Sequence, residues 1–170
     1  MSNPINQIID RALSFHRKGQ FKEAEKYYRE ALKLQKNNPT ALHYLGVIRH
    51  QQGRNIEAEQ LISRALSIKP DDIMAMSNLG ATYSALNKFD EAEKLFSNVL
   101  RDQPNNFQVL TNRGNAYQSL EQFEKAITDY RKALKLNPRL YEAARNLGQC
   151  LQDTGPVSYT HLTLPTICSV

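Results

Sequence analysis

Four side chains in the first 155 residues could do chemistry by themselves: His16, His43, His50 and Cys150. Their spacing argues against it. His43 and His50 are seven residues apart, two helical turns or about 10 Å, too far to share one metal ion. The histidines therefore read as solvated side chains, and Cys150 as a small residue between helices. No nucleophile–base pair, phosphate loop or paired carboxylates stand at a workable spacing, which implies that the first 155 residues are non-catalytic, with no cofactor and no metal. Amides are the better candidates. Asn78, Asn112 and Asn146 recur every 34 residues. A carboxamide offers both a donor and an acceptor, so a row of them could pair with a peptide's main chain while ignoring its side chains.

The same 34-residue step runs through the elements that must position those asparagines. It relates Gly46, Gly80, Gly114 and Gly148, and also Ala24, Ala58, Ala92 and Ala126. Pro70, Pro104 and Pro138 keep it, as do Ala31, Ala65 and Ala133, with Val99 in the remaining slot. Helical periodicity fills each unit, as in Leu42, Leu45 and Ile48, then Ile62, Ala65 and Leu66. Asn38-Pro39, Asp72 and Asn3-Pro4 signal helix starts, Gly19-Gln20 and Gly53-Arg54 signal turns, and each recurring proline closes a helix. The small columns sit where two helix axes approach closely.

This column pattern resembles the tetratricopeptide repeat family. It is carried by "ALHYLGVIRHQQGRNIEAEQLISRALSIKP", "AMSNLGATYSALNKFDEAEKLFSNVLRDQP" and "VLTNRGNAYQSLEQFEKAITDYRKALKLNP". The resemblance implies an all-α, right-handed superhelical solenoid of antiparallel helix pairs. The repeats are expected at 5–38, 39–72, 73–106 and 107–140, with one extra helix in 141–155, making a domain over 1–155. The first repeat departs from the pattern, with Ala12 in the glycine column and Arg11 in an apolar one, as an end cap would.

In this family the first helix of each repeat lines a concave groove. That implies peptide contacts by Asn78, Asn112 and Asn146, with His43, Tyr44, Thr111, Asn115 and Arg145 tuning selectivity. The stripe is uncharged in the third repeat (Met74, Ser77, Asn78, Ala81, Ser84, Ala85) and in the fourth (Gln108, Thr111, Asn112, Asn115, Gln118, Ser119). The lysines with which chaperone-binding members clamp a carboxylate are missing: those slots read His43, Val47, Ser77, Ala81, Thr111 and Asn115. The expected partner is a protein or peptide. The alternative is a substrate-recruiting region ahead of a glycosyltransferase, sulfotransferase or methyltransferase domain of a bacterial type.

The totals narrow the class. A chain of 170 residues with 41% hydrophobic and 23% charged residues suits one water-soluble domain. A formal charge of +5 is spread among mixed Lys and Glu, without the basic tract or aromatic platform of a nucleic-acid surface. No run approaches the roughly 18 apolar residues of a membrane span, and the start lacks a secretory pattern, so the cytoplasm is the expected location.

The end is different. "PVSYTHLTLPTICSV", Pro156–Val170, has no Lys, Arg, Asp or Glu. A fifth second helix there would hold Pro165 inside, at about 3 kcal/mol. Val157–Thr166 resembles the translation of a transposase adaptor used for DNA sequencing libraries. Residues 156–170 are therefore expected to be a non-native or disordered tail, and Leu147 and Leu151 to lie exposed on a helix that invites artefactual self-association.

Overall fold

The structure is a computed structural model and describes residues 4–154. The tail 156–170, with the adaptor reading of 157–166, lies outside the described residues. Among those residues there are nine α-helices and no strands: α1 (Pro4–Arg17), α2 (Phe21–Leu34), α3 (Pro39–Gln51), α4 (Asn55–Ile68), α5 (Ile73–Ala85), α6 (Phe89–Asp102), α7 (Phe107–Ser119), α8 (Phe123–Leu136) and α9 (Tyr141–Asp153). They form two compact units, α1 to α6 and α7 to α9.

Helix starts follow the sequence. Asn38, Asp72 and Asn106 each stand before a first helix, and each side-chain oxygen accepts the N–H three residues on, from Ala41, Ala75 and Val109 at 2.9, 3.0 and 3.2 Å. Such a cap satisfies one of the donors that a helix start leaves unpaired. The turn into each second helix uses one left-handed residue: Gly19, Gly53, Asn87 and Glu121, with φ of 72°, 74°, 58° and 57°. Glycine adopts this conformation without cost, asparagine tolerates it, and glutamate is strained by it. The recurring prolines stand two residues beyond the ends of α4, α6 and α8.

In the first unit α1 packs on α2, α3 on α4 and α5 on α6, while α2 meets α3 and α4 meets α5. In the second, α8 packs on both α7 and α9. The glycine column explains the close pairing. A Cβ on Gly46 would stand 2.5 Å from Ile62 Cγ1; on Gly80, 2.6 Å from Phe96 Cε1; on Gly114, 2.6 Å from Tyr130 Cε1. Each bulky residue lies sixteen positions after its glycine and fills the space that the missing side chain leaves. Ala24, Ala58, Ala92 and Ala126 are completely buried on the opposing helices.

Two expectations are corrected. Leu147 and Leu151 are not left bare: both are half-buried and pack against the cluster of Tyr117, Ala126, Ile127, Tyr130, Ala143 and Cys150. Helical spacing puts 143, 147, 150 and 151 on one face, and α8 already covers it. The exposed large residue of α9 is Tyr141, at 83%. His43 is likewise no solvated histidine, being only 2% exposed.

Candidate functional site

The residues read as candidates sit on first helices, and many of them are engaged with the protein itself. His43, on α3, is within 4.7 Å (ring centres) of Tyr44, and its Nε2 is 2.8 Å from Asn78 Nδ2 on α5. Tyr44 stacks on Tyr28 of α2 at 5.9 Å and meets the edge of His16 of α1 at 5.2 Å. The first unit thus gathers His16, Tyr28, His43, Tyr44 and Asn78. Burial lowers the pKa of both histidines, with Asp72 partly opposing it at His43. Burial also raises the Tyr28 phenol above its ordinary range. Tyr28 Oη and His16 Nδ1 are enclosed without a hydrogen-bond partner.

The second unit has a different centre. Asn115 Oδ1 accepts from Tyr130 Oη at 2.7 Å and from Asn146 Nδ2 at 2.9 Å, while its Nδ2 donates to Glu142 at 3.1 Å. Asn115 is occupied on both ends of its amide. Thr111 is buried, and its hydroxyl donates to the Phe107 carbonyl at 2.9 Å. Arg145 is exposed and donates from Nε to Asn146 Oδ1 at 3.3 Å. Asn112 is half-buried on α7, and its side chain has no hydrogen-bond partner among the described residues.

Sequence reasoning missed the charged ties. Arg49 is buried and bridges three helices. It donates to Glu25 Oε1 on α2 at 2.6 Å and to Gln52 at 2.7 Å, and lies 3.3 Å from Glu57 on α4. That guanidinium holds the Glu25 carboxyl below its ordinary pKa. Arg113 and Asp129 form a second tie. Its signal was available: Arg113 stands in the column of Leu45, Leu79 and Leu147, and Asp129 in that of Leu61 and Leu95. Among the described residues no three His, Cys, Asp or Glu side chains could hold a metal ion, and no helix is long and apolar enough to cross a membrane.

Helix pairs at a 34-residue step, closed by a bulky residue against a glycine, have a counterpart in family comparisons. Tetratricopeptide-repeat models match residues 9–73, 49–113 and 107–140. The chain is built of tetratricopeptide repeats. The tetratricopeptide fold recurs in solved structures. MamA of Desulfovibrio magneticus RS-1 (residues 41 to the end) is 24% identical with a TM-score of 0.81, over 91% of this chain and 87% of that one. MamA MSR-1 is 25% identical with a TM-score of 0.79, over 89% and 87%. Cut9–Hcn1, an APC/C hetero-tetramer, matches at 21% identity and a TM-score of 0.79, over 85% of this chain and 29% of the other. No curated protein is significantly similar in sequence. The array is thus an all-α tetratricopeptide solenoid.

Proposed function

We propose that this array is a protein-interaction module whose first helices bind an extended peptide or protein segment. One observation carries the reading. Asn78 and Asn146 each donate Nδ2 to a residue of the preceding first helix, His43 at 2.8 Å and Asn115 at 2.9 Å, so both amides are held in a defined orientation. Amides held in place by the fold lose little freedom when a main chain adds to them. Asn112 brings a third amide with neither end engaged. In the first unit Tyr44 and the half-exposed Ser77 are the selectivity positions, with His43 orienting Asn78; in the second they are Arg145 and the half-exposed Gln118, with Asn115 orienting Asn146. A cytoplasmic setting suits the reading. Cut9, a structural relative, is named in a complex with a protein partner.

The test is a peptide selected from a display library on the whole chain, then titrated. Asn78→Ala with Asn112→Ala is expected to weaken it about tenfold at unchanged helicity, since each lost bond contributes about 0.5–1.5 kcal/mol. Unchanged affinity removes the amides from the account.

A second reading is a substrate-recruiting region of a larger enzyme. One observation favours it: a Cβ on Gly148 would meet nothing within 4 Å among the described residues, unlike its three counterparts. At Gly46, Gly80 and Gly114 the same space is filled from a second helix, by Ile62, Phe96 and Tyr130. Long-read sequencing of the source DNA past codon 155 tests both this and the adaptor reading. Repeats running into a catalytic domain support recruitment, and a genuine stop after Val170 removes both.

A further inference from the structure

We infer that His43 sets the hydrogen-bond polarity of Asn78, so that this position takes an N–H donor, such as a peptide main-chain amide, and loses that preference once His43 is protonated. The inference rests on the reading of the first helices as a binding face, and it adds the chemistry that Asn78 selects.

An amide nitrogen carries donors only. With Asn78 Nδ2 at 2.8 Å from His43 Nε2, that ring nitrogen must accept. His43 is therefore neutral, with its proton on Nδ1. Asn78 spends one N–H on this bond. Its Oδ1 has no partner among the described residues, and it is not one of the enclosed unpartnered atoms, which are His16 Nδ1 and Tyr28 Oη. The side chain is half-buried, so the oxygen is the end left for a ligand. An oxygen selects donors.

Protonation reverses this. His43 is 2% exposed and has little water to turn to. A proton on Nε2 would aim a donor at a donor, a contact relieved when the Asn78 amide turns over and gives its oxygen to the ring. Asn78 would then offer its NH2 group instead. The titratable groups acting on His43 are Asp72 at the start of α5 and His16 of α1; Tyr44 of α3 lies against the ring, with Tyr28 of α2 stacked behind it. Burial opposes the proton more than Asp72 favours it, so the acceptor state holds at neutral pH. Asn146 is an internal control, because its Nδ2 is held by Asn115, which does not titrate.

The experiment is nitrogen-15 NMR on the whole chain without ligand. At pH 7.5 a scalar coupling across the hydrogen bond is expected between His43 Nε2 and Asn78 Nδ2, and it is expected to vanish at the acid pH where the ring's own nitrogen shifts show His43 protonated; a coupling that survives protonation would overturn the inference. An Nε2-protonated His43 at pH 7.5 would overturn the inference. N-methylacetamide, which has an N–H, and N,N-dimethylacetamide, which lacks one, are then titrated as probes. The first is expected to perturb Asn78 at about fivefold lower concentration at pH 7.5, the worth of one hydrogen bond, with no preference once His43 is protonated. Equal responses at pH 7.5 overturn it. If this pattern holds while display-selected peptides ignore Asn78→Ala, the peptide reading fails and the polarity of Asn78 stands.

Discussion

Arg113 and Asp129 hold each other in a two-pronged bridge, Nε to Oδ2 at 2.7 Å and Nη2 to Oδ1 at 2.8 Å, where earlier repeats place two leucines. Leu45 and Leu61 share one apolar cluster in the first unit, and Leu79 and Leu95 another. In the first repeat the same two positions carry Arg11 and Tyr27, with the guanidinium 5.0 Å from the ring centre. One repeat position thus joins first and second helix by apolar contact, cation–π contact or ion pair.

The ion pair is expected to be strongly coupled. Asp129→Leu leaves Arg113 beside an apolar residue and should cost about 2 kcal/mol, less than for a fully dry pair because Arg113 keeps some solvent. Arg113→Leu with Asp129→Leu should return to within about 1 kcal/mol of the parent, as the leucine pairs elsewhere imply. Urea unfolding of the three variants checks this; additive losses would show that the bridge is not a unit.

Glycine column substitutions should divide by location. Gly80→Ala puts a methyl 2.6 Å from the Phe96 ring and is expected to destabilise by about 1–3 kcal/mol. Gly148→Ala meets nothing within 4 Å and should stabilise α9 by up to about 1 kcal/mol through helix propensity. Thermal melts of both decide it. A loss at Gly148 equal to that at Gly80 would mean that α9 is covered in solution.

The left-handed turn at Glu121 offers a gain. Its φ of 57° is the conformation that Gly19 and Gly53 adopt in the first two repeats. Glu121→Gly should raise stability by about 0.5–1 kcal/mol, whereas Gly53→Ala should lower it by a similar amount. Denaturant midpoints for the pair provide the comparison, and a loss for Glu121→Gly would mean that the glutamate side chain stabilises the turn.

Acid should loosen the first unit. His16 and His43 have folded pKa values below the ordinary 6.5, both by burial. Above pH 6.5 both states are neutral there, and the histidines leave stability unchanged. As pH falls through 6.5 the unfolded chain takes up protons first, so stability drops until the folded pKa is passed. Urea midpoints at pH 7.5 and 5.5 should differ in that direction, and His16→Gln with His43→Gln should flatten the dependence.

Much of the molecule could be read in advance because its instructions are local. Asn38 and Asp72 cap the helices they precede, and the prolines follow the helices they close. Of the candidate site, the helix carrying each residue was legible, but its engagement was not. Thr111 turns its hydroxyl to its own helix, and Asn115 is spent on Tyr130, Asn146 and Glu142. Leu147 and Leu151 looked bare only because the cover of α8 was not counted.

The 34-residue step, the order of helices and the positions where they must touch are encoded in residue order, because caps, turns and small-residue columns act over a few neighbouring residues. Which polar groups remain for a partner was decided only on folding. His43 and Asn78 are 35 residues apart in sequence and 2.8 Å apart in space. Burial denies His43 water, so its ring nitrogen must find a partner within the protein, and no local rule could have paired it with Asn78.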